Sequence, residues 1–136
     1  MMETKKMMSM DEMLNLIKNK GGFSVNPTNG SGTPSDGFMV SLAPEEGFEK
    51  QIPMTMLDDD PEMVIEAIEN AQQGALERGE AHYIGAWADK GVLYIDVSQH
   101  FKEINDAIQT GCDRNQVAIW WCEKNRAIKL PDCCQK

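Results

Sequence analysis

Histidine is almost absent from this chain, with His82 and His100 alone, and none of the four cysteines at 112, 122, 133 and 134 stands in a Cys-x-x-Cys pair. A structural zinc site draws on such closely spaced thiolates and imidazoles, so none is expected. Long apolar runs are missing too. No stretch approaches the roughly 20 residues that cross a bilayer. Met1 to Met13 is rich in methionine but has no continuous apolar stretch and no small-residue cleavage site, so it does not read as a secretory signal. The expected location is the cytoplasm, where the four thiols would stay reduced. The run Gly30-Ser31-Gly32-Thr33 lacks the Gly-Lys-Ser/Thr ending of a phosphate loop, and no helical pattern follows it, which leaves a turn-rich loop. Asp58-Asp59-Asp60 lacks the alternate spacing and the downstream glycine and glutamate of a calcium loop. Neither a metal nor a cofactor is expected, and no enzyme. The thiols of Cys112 and Cys122 become nucleophiles only where the fold brings a histidine to them.

Positive charge is scarce in one place. The chain has 13 Lys+Arg against 22 Asp+Glu, a net charge of −9. Eleven of the acids lie between Glu45 and Glu80, opposed only by Lys50 and Arg78, so this segment carries the whole imbalance. Such a polarised molecule disfavours nucleic acid as a direct partner and favours a basic one.

What is present suits one α+β domain. A chain of 136 residues, 41% hydrophobic and 26% charged, has the size and composition of a single globular unit. The expected layout is a flexible start over 1–8, a domain over 9–130 and a tail over 131–136. Ser9-Met10-Asp11-Glu12 reads as a capping box, Met10, Met13, Leu14 and Ile17 follow at helical spacing, and Gly21-Gly22 stops the helix. Strands are expected over Phe23–Val25 and Phe38–Ala43, with a weaker one between Gly47 and Met56 interrupted by Pro53. The intervening Asn26–Gly37 is nearly all turn residues. Asp60 is placed to cap a long helix with Pro61 in its first turn, ending near Gly79. His82–Asp89 and Val92–Val97 form a hairpin around Asp89-Lys90-Gly91, Ser98–Thr110 reads as a short helix, and Gln116–Cys122 is a last strand. Together these give a mixed or antiparallel sheet of four to six strands packed by about three helices.

Two surfaces stand out. Strand alternation sends Ile84, Ala86, Leu93, Ile95, Val97, Val117, Ile119 and Trp121 towards the helices. Tyr83, Trp87, Tyr94 and Trp120 then share the opposite face, which is too aromatic to be left simply solvated. It is expected to bind a ligand, to be covered by the N-terminal strands, or to pair with a second copy in a two-fold homodimer. On the long helix, Val64, Ile65, Ile68, Ala71 and Ala75 fall on one side, and Glu62, Glu66, Glu69, Gln73, Glu77 and Glu80 on the other. With Asp58, Asp59 and Asp60 these acids form a negative strip about 25–30 Å long, at roughly 1.5 Å per helical residue. That is the scale of a nucleic-acid backbone.

The pattern Tyr83-Ile-Gly-Ala-Trp87, Leu93-Tyr-Ile-Asp-Val-Ser98 and Asn115-Gln-Val-Ala-Ile-Trp120, with Gly37-Phe-Met-Val-Ser41 upstream, resembles uncharacterised accessory proteins encoded by bacterial phages and plasmids. The resemblance places no catalytic residue. It implies a mobile-element context, in which small acidic proteins counter host defence, CRISPR systems included, by occupying a nucleic-acid groove. The function expected is thus a non-enzymatic inhibitor of a basic host-defence protein such as a CRISPR effector nuclease. Its contact surface would be Asp58, Asp59, Asp60, Glu62, Glu66, Glu69 and Glu77. The alternative is a small-ligand-binding or sequestering protein that uses the aromatic face.

Overall fold

A computed structural model describes residues 8–46 and 48–131. The expected flexible start and tail fall almost entirely outside them. The chain opens with α1, Met10–Lys20, whose capping box is complete: Ser9 Oγ accepts from the Glu12 N–H and the Glu12 carboxylate accepts from the Ser9 N–H. Gly21 ends the helix in the left-handed conformation at φ 86°, where its N–H reaches the Ile17 carbonyl. Strands β1 (Gly22–Val25), β2 (Phe38–Ser41) and β3 (Lys50–Pro53) follow, with a 3₁₀ turn over Pro44–Glu46 between the last two. After them come the one-turn helix α2 (Met56–Asp59) and the long helix α3 (Pro61–Arg78). The remainder is β4 (His82–Asp89), β5 (Val92–Phe101), α4 (Ile104–Asp113), β6 (Ala118–Trp121) and β7 (Arg126–Lys129).

The seven strands make one antiparallel sheet in the order β1-β4-β5-β2-β6-β7, with β3 also paired to β5. β5 is the axis of this arrangement. Along one edge it pairs with the whole of β4; along the other, its first residues pair with β3 and its last with β2. All the helices pack on one face. Met13 and Ile17 of α1 and Val64, Ile68, Ala71 and Ala75 of α3 are buried against Val25, Ile52, Ile84, Ala86, Leu93, Ile95 and Val97. Ala107 of α4 closes a smaller cluster with Phe38, Val40, Ile119 and Leu130. Gly111 lets α4 sit this close, because a Cβ there would come within 2.7 Å of Leu130 and 3.0 Å of Ile119.

Several expectations need correction. Ser98–Phe101 is not the start of a helix but the end of β5, since pairing with β2 claims its backbone; α4 begins at Ile104. The weaker strand expected between Gly47 and Met56 is present as Lys50–Pro53 and ends at Pro53, while Met56 already opens α2. Asp60 occupies the cap position of α3 without making a side-chain cap bond, because its backbone (φ −150°, ψ 70°) is set by the tight junction with α2. Val117 precedes β6 and is exposed rather than facing the helices. The seventh strand, β7, was not expected at all. It is short, and its Arg126-Ala-Ile-Lys129 sequence carries little strand signal of its own.

Candidate ligand groove

Register places every helix-facing position of the sheet on the packed side, so alternate residues of the same strands line a face that no helix covers. On β4 that face carries Tyr83, Gly85 and Trp87; on β5 it carries Tyr94, Asp96, Ser98 and His100. Met39 and Ser41 of β2, Trp120 of β6 and Ser24 of β1 complete it. The four aromatic residues expected to share a face therefore do so. They are not equivalent, however. Trp87 is 50% exposed and Trp120 36%, Tyr94 is half-buried, and Tyr83 is buried in a satellite cluster with Met39 and Cys122.

The face is concave because its centre is made of small side chains. Ser24, Gly85, Ser41, Ser98 and Ala118 form a floor between Trp87 and Trp120, and the resulting groove has a volume of about 730 Å³. A β-carbon on Gly85 would lie 3.0 Å from Asp96 Oδ1 and 3.2 Å from the Trp87 ring, so the carboxyl and the indole share the space that this glycine leaves. The 26–37 loop closes one end. Buried Asn26 anchors it, accepting from the Thr28 N–H at 2.9 Å and donating to the Glu80 carbonyl. Further on, the Asp36 carbonyl meets His100 Nε2 at 2.8 Å, and Thr33 reaches the groove.

Asp96 is the charged group of the floor. Its Oδ2 accepts from Ser41 Oγ at 2.7 Å, while Oδ1 is shut off from solvent and has no hydrogen-bond partner among the described residues. Burial pushes the carboxyl pKa above its ordinary value; a hydrogen bond from Ser41 opposes the rise, the charge of Glu49 adds to it, and a hydrogen bond from Ser98 opposes it. An unsatisfied buried acceptor costs about 1–3 kcal/mol, so the free protein carries a penalty here. Sequence reading passed over Asp96 because a lone acid in a strand is indistinguishable from a solvated one. The only available signal was its parity with Trp87 and Trp120.

The other candidates are placed differently. Asp58 and Asp59 lie on α2, Asp60 at the junction, and Glu62, Glu66, Glu69 and Glu77 on the outer side of α3; all are exposed. Within the described residues the one ion pair on this strip is Lys18–Asp58 at 3.9 Å. Burial raises the Cys122 thiol pKa, with Asp36 adding to the rise, the reverse of nucleophile activation. Cys112 is disulfide-bonded, not reduced as expected. A second cavity of about 390 Å³ is bordered by Glu46, Arg78, His82 and Arg114. Its arginines are already engaged, Arg78 with Glu46 and Arg114 with Gln99 and the Val40 and Ser41 carbonyls. Desolvation lowers the pKa of buried His82; a backbone hydrogen bond with Gly79 opposes the shift and the charges of Arg114 and Arg78 add to it.

No protein family, curated protein or solved structure matches this chain. What the groove does must therefore be read from its own chemistry. Among the described residues no group of His, Cys, Asp and Glu is placed to hold a metal ion, and no helix is long and apolar enough to cross a membrane.

The raised pKa of Asp96 has a consequence for stability. The unfolded chain releases this proton first, near the ordinary aspartate value of about 3.9. Stability from this group is complete below that pH and is lost as pH rises towards the higher folded value. Urea unfolding of Asp96→Asn should therefore show the variant gaining on the native protein between about pH 4 and pH 7. A difference that stays constant across this range would mean that Asp96 is no more buried than an ordinary surface acid.

Proposed function

We propose that this is a non-enzymatic binding protein whose ligand occupies the groove on the helix-free face of the sheet. One observation carries the reading: a concave, aromatic-walled surface contains a buried carboxyl oxygen with no partner among the described residues. Binding sites have this composition, a largely apolar cleft with a few convergent polar groups and a perturbed ionisable residue. The volume of about 730 Å³ lies within the range of small-molecule sites, about 300–1,000 Å³. Two wide indole surfaces left exposed at its walls are the further cost that a ligand would offset.

Fragment screening by NMR tests this reading. Compounds that bind should shift the indole N–H resonances of Trp87 and Trp120, and Trp87→Ala should weaken them by about tenfold or more, the scale of a lost aromatic contact. Hits that bind elsewhere and leave both indoles unmoved would overturn it. Concentration-dependent shifts without any fragment, matched by dimer formation in sedimentation, would give the face to a second copy of the chain instead.

A second reading rests on the acidic strip. Asp58, Asp59, Asp60, Glu62, Glu66, Glu69 and Glu77 are exposed along α2 and α3, and a single cross-helix lysine offsets them. Such a strip would suit a Lys/Arg-lined nucleic-acid channel, and on this reading the protein inhibits a basic host-defence protein such as a CRISPR effector nuclease. Charge contacts of this kind set association rate and partner choice and weaken as salt rises. Reversing Glu62, Glu66 and Glu69 together to lysine should abolish binding to such a nuclease, while each exposed change alters stability by under about 0.5 kcal/mol. Undiminished binding by the triple variant would leave the strip as a solvated helix face.

A further inference from the structure

Resting on the groove reading, we propose that the occupant is a small organic cation, an ammonium or guanidinium group on a flat or apolar body, with Asp96 Oδ1 as its counter-ion. The partnerless oxygen is the starting point. Ser41 hydrogen-bonds Oδ2 and Ser98 adds a hydrogen bond to the carboxyl, while Oδ1 lies occluded beside the half-exposed Trp87 ring over Gly85, so a ligand reaches it as that ring moves aside. A neutral donor would fill that position but would do nothing to offset the burial that disfavours the charged form of the carboxyl. A cationic donor does both, and charge-assisted hydrogen bonds are about twice as strong as neutral ones.

The surroundings select in the same direction. Among the described residues, Lys20 and Asp96 are the only charged ones lining the groove, and Lys20 belongs to the exposed end of α1. No arginine and no helix N-terminus among the described residues faces it, so a phosphate or carboxylate would find there neither a fork of donors nor a dipole to receive it. The net charge of −9 further disfavours an anion. Indole faces, by contrast, attract cations. On the opposite side of the sheet Trp121 already carries Lys124 and Arg126 over its ring, at 5.9 and 5.3 Å from the ring centre. Among the described residues no cationic side chain covers Trp87 or Trp120, so their faces are available to a cation from outside.

Three probes of one shape test the charge preference: phenethylamine, 2-phenylethanol and phenylacetate, each titrated against the full chain at neutral pH and followed by the Trp87 and Trp120 indole resonances. Phenethylamine should saturate at a concentration about tenfold or more below that of 2-phenylethanol, and phenylacetate should bind more weakly than either. Asp96→Asn, a change of nearly identical shape, should erase the gap between amine and alcohol. Trp87→Ala should weaken both. If the alcohol binds as tightly as the amine, or if the gap survives in Asp96→Asn, the cation inference is overturned and the groove remains a neutral-ligand site. If none of the probes moves either indole, the cation inference fails together with the groove reading.

Discussion

The sheet depends on the ten residues of β5, which pair with β4 along one edge and with β3 and β2 along the other. β4 covers one edge from Val92 to Gln99. The other edge is shared end to end by β2 and β3, and the change from one to the other falls beside Asp96. Because side chains alternate along the strand, Leu93, Ile95 and Val97 commit one face to the helices, and Tyr94, Asp96, Ser98 and His100 are committed to the other. A shift of one residue in the pairing would exchange the two sets. The apolar core thus fixes the groove: the burial of Leu93, Ile95 and Val97 at 0–1% exposure holds Asp96 on the helix-free side.

On that side the cost and the capacity have the same origin. Small floor residues leave room, and in that room a carboxyl group is desolvated without a full complement of donors. Replacing Gly85 by any larger residue would fill the space, and an apolar residue at 96 would remove the penalty. A chain selected for stability alone has little reason to keep the pair. Stability given up at a concave surface is a recurrent mark of sites that bind or react.

Much of this was legible beforehand, and the failures have physical causes. Helix α1 was marked by its capping box and α3 by its 3.6-residue spacing, and the hairpin of β4 and β5 by its turn residues, all local signals. The alternation of Tyr83, Trp87 and Tyr94 correctly put them on one face with Trp120. What alternation cannot convey is which strands become neighbours. The juxtaposition of Gly85 with Asp96, and of Ser41 with the Asp96 carboxyl, depends on pairings that no local pattern encodes. The same limit hid the extension of β5 to Phe101, where pairing with β2 overrides a sequence that also suits a helix. It also left Tyr83 among the expected surface aromatics, although Met39 and Cys122 arrive from other strands to bury it.

The acidity of the chain, concentrated on the far side of the sheet from the groove, adds a long-range field of the same sign as Asp96. The most direct measurement of the central claim is the titration of the Asp96 carboxyl itself, followed through its side-chain carbon resonance in the free protein. A carboxyl that is dry and half-partnered should titrate clearly above the ordinary aspartate value of about 3.9. A midpoint at or below that value would mean that water or an unseen donor already satisfies Oδ1, and the groove would lose the feature that makes it a binding site.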